Sequence, residues 1–280
     1  MITNYTGISG SRIAYLVAAE FKNMDKAIVV VSTSRVAERL AADLAFFMPD
    51  ISVVALPEEE DNRILYEARN RDISVQRIKA MQALSSSEKS IVVAPISAVL
   101  KHTVSSERFN RNLIAVETGM RINPAVLREK LVGSGYEYSA VTEAQEEFSF
   151  RGGILDVFPT SSEYPVRIEF FDDEVDSIRY FDSDSQRSVE NLKYITIGPA
   201  AEYIPSGEEL TTAVKKIETV DKHLAETLEQ GNNIQLYSDF IDYFDIEKNC
   251  LWNFSENINC FICDPNRIIE DIPEYQNKDE

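Results

Sequence analysis

The chain has 280 residues, with 28 Lys and Arg against 47 Asp and Glu, a formal net charge of -19 and 44% hydrophobic residues. Ten Gly and ten Pro are too few for a fibrous or low-complexity chain, and 14 Phe with 12 Tyr are too many aromatics for a disordered one. No run approaches the ~18 apolar residues of a membrane span, and three clustered cysteines (Cys250, Cys260, Cys263) cannot build a disulfide scaffold.

The length predicts two domains at roughly 100–200 residues each. Residues 1–5 carry neither a basic nor an apolar leader pattern, so the expected setting is the cytoplasm, with no membrane partner. The charge falls along the chain: 14 basic and 13 acidic residues over 1–116, 8 and 16 over 117–201, and 6 and 18 over 202–280. Such acidity argues against the whole chain gripping a phosphate backbone.

Residues 7–14 (GISGSRIA) have the outline of a phosphate-binding loop, with Gly7, Gly10 and Ser11 ahead of a helix over 15–21. The positions that need a Lys for phosphates and a Ser or Thr for Mg²⁺ are Ile13 and Ala14, so the loop reads as degenerate and the chain as non-catalytic. Residues 27–31 (AIVVV) predict a buried strand, and Val36, Leu40 and Leu44 at i+4 spacing predict the helix after it. The cycle repeats as strand 51–56 with helix 73–84, and as strand 91–94 with helix 96–100, with 113–116 as one more strand. Strands apolar on both faces and separated by helices predict a parallel sheet covered on both sides. The polar segment 57–72, with Glu58, Glu59, Glu60 and Asp61, reads as a solvated loop.

The pattern changes near residue 118. A helix is predicted over 124–132, then period-2 segments over 148–158, 165–171, 175–181 and 186–197, with Asp172, Asp173 and Glu174 as a hairpin turn. In 165–171 the alternation puts Val166, Ile168 and Phe170 on one face and Arg167, Glu169 and Phe171 on the other. With one face in the core, the other presents an Arg and a Phe, the pairing that interface hot spots favour. A helix over 208–230 and short strands at 234–237 and 260–263 are expected to bring the chain back to the first sheet. The two thiols of Cys260 and Cys263 read as small apolar side chains of a core strand; with only His102 and His223 as histidines, no metal site or catalytic triad is expected.

The fold class predicted is therefore α/β: a parallel-sheet domain with a degenerate P-loop and an inserted small α+β domain. The divisions expected are 1–117 for the first part of the sheet domain, 118–201 for the insertion and 202–280 for the second part.

Residues 151–159 (RGGILDVFP), 167–179 (RIEFFDDEVDSIR) and 185–188 (SQRS) together resemble the UvrB-homology module of the bacterial transcription-repair coupling factors. The order of the degenerate loop, Leu56-Pro57, Gln76-Arg77, 92–95 (VVAP) and 133–136 (GSGY) fits the same module. The resemblance implies a P-loop NTPase and helicase-like sheet domain, and an inserted domain that docks UvrA for nucleotide excision repair. It implies Arg151 and Arg167 as charged anchors, Phe171 as the apolar anchor, and Glu169, Asp173 and Arg179 as neighbours. It further implies a parent with an RNA polymerase-binding domain and an ATP-driven DNA translocase beyond residue 280. Polymerase and DNA are then met through those domains, ATP and Mg²⁺ are needed only there, and this module requires no cofactor. The resemblance also implies that the module covers its own docking face in a resting parent. The alternative is a nucleotide-dependent, DNA-binding UvrB-like ATPase. The missing Lys, and a short acidic segment after Pro57 with Tyr66 as its one tyrosine, weigh against it.

Overall fold

The structure, a computed structural model, describes residues 2–58, 71–231 and 233–276. The acidic segment with Glu59, Glu60, Asp61 and Tyr66, expected as a solvated loop, lies outside the described residues. In chain order the elements are α1 (Arg12–Phe21), β1 (Lys26–Val31), α2 (Ser34–Phe47), β2 (Ser52–Ala55), α3 (Arg71–Ser85), β3 (Ser90–Pro95), α4 (Ile96–Leu100) and α5 (Ser106–Arg111). There follow β4 (Ile114–Glu117), α6 (Pro124–Gly133), β5 (Glu137–Tyr138), β6 (Glu147–Arg151), β7 (Ile154–Val157), β8 (Val166–Phe171), β9 (Glu174–Phe181), β10 (Ser188–Leu192) and β11 (Tyr194–Ile197). The chain ends with α7 (Gly207–Glu218), α8 (Lys222–Gln230), α9 (Leu236–Asp239), β12 (Ile258–Ile262) and α10 (Pro265–Gln276).

Two compact units result, one from residues 1–106 and 248–280 and one from 107–247. The first holds a four-stranded parallel sheet of order β12-β1-β3-β2. β1 and β3 are buried at every residue, as the continuous apolar runs predict. Ala27, Val29, Val31, Ile91 and Val93 join Ala14, Val17 and Phe21 of α1 and Leu40 and Leu44 of α2 in one core. Ile28, Val30, Val92 and Ala94 on the opposite face are equally buried. Each such Val, Leu, Ile or Phe side chain contributes about 1.5–3 kcal/mol. Lys26, buried at the head of β1, donates to the carbonyls of Ala83 and Glu88 and to the hydroxyls of Ser86 and Ser90, fastening the α3–β3 connection.

The second unit is built on a six-stranded sheet of order β10-β9-β8-β7-β6-β5, antiparallel except for the β5–β6 pair. One face is apolar: Phe148, Leu155, Val157, Val166, Ile168, Val175 and Ile178 pack with Leu127 and Leu131 of α6. Pro124 at the first turn and the Asn123 side-chain Oδ1 accepting from the Ala125 amide start that helix. Arg108 of α5 donates from both terminal nitrogens to Glu209, at 2.7 Å each, and lies 4.8 Å from the Tyr203 ring centre. Glu209 also completes a capping box with Ser206 at the head of α7.

Several expectations change. The strand at 113–116 does not join the parallel sheet: β4 pairs antiparallel with β11 in the second unit. Residues 148–158 and 186–197 each give two strands. The helix expected over 208–230 is two helices, because Thr219 and Val220 interrupt it and Asp221 caps a new one through the Leu224 amide. Residues 234–237 form no strand; their apolar run enters the short helix α9, since four residues do not distinguish a buried strand from a helical turn. Only β12 returns to the first sheet, so the chain regains that unit near residue 248 and not at 202. β12 is an edge strand and Cys260 is exposed, so that thiol is not the core side chain expected, whereas Cys263 is half-buried and packs against the core of this unit.

Candidate functional site

The open face of the second sheet follows from its register. Opposite pairs are Ser149 with Asp156, Arg151 with Ile154, Asp156 with Arg167, Ile154 with Glu169, Arg167 with Arg179, and Glu169 with Ser177. Paired residues share a face, so these side chains stand together, away from the Phe148–Ile168–Ile178 core. The face Arg167, Glu169 and Phe171 were expected to share is therefore the non-core one.

Two tight turns end this face on the same side. Gly152 (φ 55°) and Gly153 (φ 89°) join β6 to β7 with both residues at positive φ, the geometry a two-residue hairpin loop requires. Asp172 (φ 60°) and Asp173 join β8 to β9, a hairpin where one was expected but one residue shorter, since Glu174 already belongs to β9. The Phe170 amide donates to the Gly153 carbonyl at 2.8 Å, which ties the two turns together.

Between the turns and the far end lies a charge ladder. Arg167 donates to both carboxylate oxygens of Asp156, at 2.7 and 2.8 Å, and to Gln186 at 2.8 Å, and its guanidinium stacks 4.3 Å from the Phe181 ring centre. The side chains of Arg167 and Asp156 are only 16% and 7% exposed. One pair along, Arg179 donates to Glu169 at 2.6 Å, and Ser177 donates to the same carboxylate at 2.8 Å. These donors hold the Glu169 carboxyl down at about 2, the Arg179 bond being the larger cause. Bonding to Asp156 raises the already high value of Arg167.

Two expected residues remain free on the face. Arg151, at the end of β6, is exposed and makes no ion pair among the described residues. Phe171 is 80% exposed. Their Cα atoms stand about 12 Å apart, from a strand spacing of ~4.8 Å and a rise of ~3.4 Å per residue. Ile154, 36% exposed, lies between them in the register. Asp173 sits in the turn beyond Phe171, 3.8 Å from the Arg121 guanidinium. Thus Arg167 with Asp156 and Gln186 forms one bonded group and Glu169 with Arg179 and Ser177 a second beside it, while Arg151 and Phe171 stand exposed. Asp156, Gln186 and Phe181 hold Arg167 and were not expected; Asp156, inside 151–159 (RGGILDVFP), and Gln186, inside 185–188 (SQRS), lie in motifs that could have signalled them.

The degenerate loop belongs to the other unit. Gly7 and Gly10 take positive φ and the Ile13 amide donates to the Gly10 carbonyl, turning the chain into α1. Ala14 is fully buried and Ile13 packs against the same core. The loop follows no strand among the described residues, whereas a phosphate loop sits between a strand and a helix. Ile13 and Ala14 thus serve packing. Among the described residues no group of three His, Cys, Asp or Glu could hold a metal, and no helix is long and apolar enough to cross a membrane.

A family model described as the UvrB interaction domain matches residues 114–203. A transcription-repair-coupling factor of Bacillus subtilis (strain 168) is 33% identical over 98% of this chain and 25% of its own length. One from Staphylococcus aureus (strain bovine RF122 / ET3-1) is 29% identical over 78% of the chain and 19% of its own length. The chain spans a quarter or less of the length of these relatives.

Proposed function

The chain belongs to the transcription-repair-coupling factor family, and on that premise we propose that it is the non-catalytic, UvrB-like module that recruits UvrA for nucleotide excision repair at stalled RNA polymerase. The observation that carries this reading is the open sheet face, where Phe171 is 80% exposed and Arg151 makes no ion pair among the described residues. A phenyl ring left in water forgoes about 2 kcal/mol of burial, and aromatic and Arg side chains dominate interface energetics. The ladder of Asp156, Arg167, Glu169 and Arg179 keeps the face flat and rigid beneath them. Asp173 borders it.

The parent protein supplies the rest of the activity. An RNA polymerase-binding domain and an ATP-driven, Mg²⁺-dependent DNA translocase act in the cytoplasm through parts of the parent outside this chain. In the resting parent those parts cover the docking face. The packing of Ile13 and Ala14 supports a module without ATP turnover of its own.

Calorimetric titration of UvrA with the 280-residue chain tests the reading. Phe171→Ala and Arg151→Ala together are expected to weaken binding at least about 30-fold, the equivalent of ~2 kcal/mol, with the circular dichroism spectrum unchanged. Wild-type affinity in the double variant would overturn it.

A further inference from the structure

The segment just before α6 carries an arginine that no sequence pattern singled out. The Ile122 amide donates to the Asp173 carbonyl and the Val175 amide to the Met120 carbonyl, both near 2.8–2.9 Å, with Arg121 directly opposite Glu174. This bracketing makes Arg121 and Glu174 a closely spaced antiparallel pair, whose side chains lie on one face. Glu174 in turn lies opposite Phe171. The register therefore runs from Arg121 through Glu174 to Phe171, and Arg121 stands on the same open face, about 10 Å from Phe171 at ~4.8 Å per strand.

Arg121 is 72% exposed and is held only loosely, at 3.8 Å from Asp173 and 3.5 Å from Glu174, both themselves about half exposed. Exposed pairs of that length contribute little and are readily exchanged for better ones. Arg167 and Arg179 are the opposite case, bonded at 2.6–2.8 Å and four-fifths or more covered. Among the described residues flanking Phe171, the cations available to meet a partner are thus Arg151 on one side and Arg121 on the other.

We infer that Arg121 is a third anchor of this docking face, and that the surface of UvrA it meets carries an apolar pocket for Phe171 flanked on two sides by carboxylates. The inference rests on the reading that this face is where UvrA docks. Charge complementarity selects the occupant: two separable arginines around an aromatic ring match an acidic-rimmed pocket, and a phosphate backbone is disfavoured by Asp172, Asp173, Glu174 and Asp176 crowding the same turn.

The test is calorimetric titration of UvrA with the 280-residue chain and its variants. Arg121→Ala is expected to weaken binding about 5- to 10-fold and Arg121→Glu about 100-fold. Glu174→Gln is expected to bind as tightly as wild type or tighter, because it loosens the hold on Arg121. If Phe171→Ala loses binding while both Arg121 variants stay within twofold of wild type, Arg121 is no anchor and the docking face stands. If Phe171→Ala binds like wild type, the docking face falls and the role of Arg121 with it. Equal weakening by Arg121→Ala and by Glu174→Gln would also overturn the inference, since Arg121 would then only prop the turn.

Discussion

Arg167 was expected to be a charged contact, yet the structure gives it a supporting place, and Arg167→Ala separates the two roles. Its guanidinium makes a bidentate pair with Asp156, whose side chain is 7% exposed, and stacks on Phe181 at 4.3 Å. Deleting one partner of a buried pair costs about 3–5 kcal/mol, because the remaining charge is left without compensation. Arg167 is itself 16% exposed, which admits some water and favours the lower end; the lost cation–π contact adds back about 0.5–1 kcal/mol. The expected loss is therefore about 3 kcal/mol, or a fall in melting temperature of about 10 °C for a unit of this size. Asp156→Asn in the Arg167→Ala background removes the stranded charge and is expected to recover about 1–2 kcal/mol. Trp252, the chain's single tryptophan, lies in the other unit, so urea unfolding is followed by far-UV circular dichroism instead of fluorescence. An Arg167→Ala protein within about 0.5 kcal/mol of wild type would refute the argument and return Arg167 to the contact surface.

Two further outcomes follow from the same geometry. Arg179 and Ser177 depress the Glu169 carboxyl from 4.5 to about 2, so its stabilisation is fully present above about pH 4.5 and is lost as the pH falls toward 2. That shift is worth about 3 kcal/mol at ~1.4 kcal/mol per decade, and screening of a side chain 31% exposed reduces it to about 1 kcal/mol. Glu169→Gln should flatten the urea midpoint against pH between 4.5 and 2 by that amount, and superimposable curves would count against the bond. Gly153→Ala should cost about 1–2 kcal/mol and exceed Gly152→Ala in thermal unfolding. A Cβ at Gly153 (φ +89°) meets the Phe170 carbonyl at 3.3 Å, whereas one at Gly152 (φ +55°) meets nothing within 4 Å. Equal costs at the two positions would mean that the Phe170 contact does not constrain the turn.

The alternation of β8 was legible because period 2 is local: Val166 and Ile168 are buried and Phe171 is exposed, as residues 165–171 alone imply. What alternation cannot reveal is which outward side chain has a partner. Asp156 meets Arg167 across 11 positions, through a β7–β8 connection whose length leaves the register open, and only that register separates an engaged Arg167 from a free Arg151. The same limit hid Arg121, since one bridge at Arg121–Glu174 leaves no periodic trace. In the first unit the continuous runs of β1 and β3 announced a sheet covered on both faces. The return strand was ambiguous because two short apolar runs competed for it. Residues 258–262 have Ile258, Phe261 and Ile262 and form β12; residues 234–237 enter α9 instead.

The charge of the second unit can now be assigned to places. It holds 13 basic and 28 acidic residues, yet on the open sheet face Arg167 and Arg179 each stand against a carboxylate of the same face. Neutralising those two from within removes the need for the partner to do so, and it avoids the cost of stripping water from four charges at the contact. Arg151 and Arg121, at the two sides of Phe171, are left as the positions where a carboxylate gains on approach. Long-range attraction to DNA is correspondingly weak, since the acidic remainder of the unit dominates the field beyond a Debye length of about 8 Å. On the proposed reading, selectivity for a protein over a nucleic acid follows from the same cross-strand pairs that hold the sheet face together.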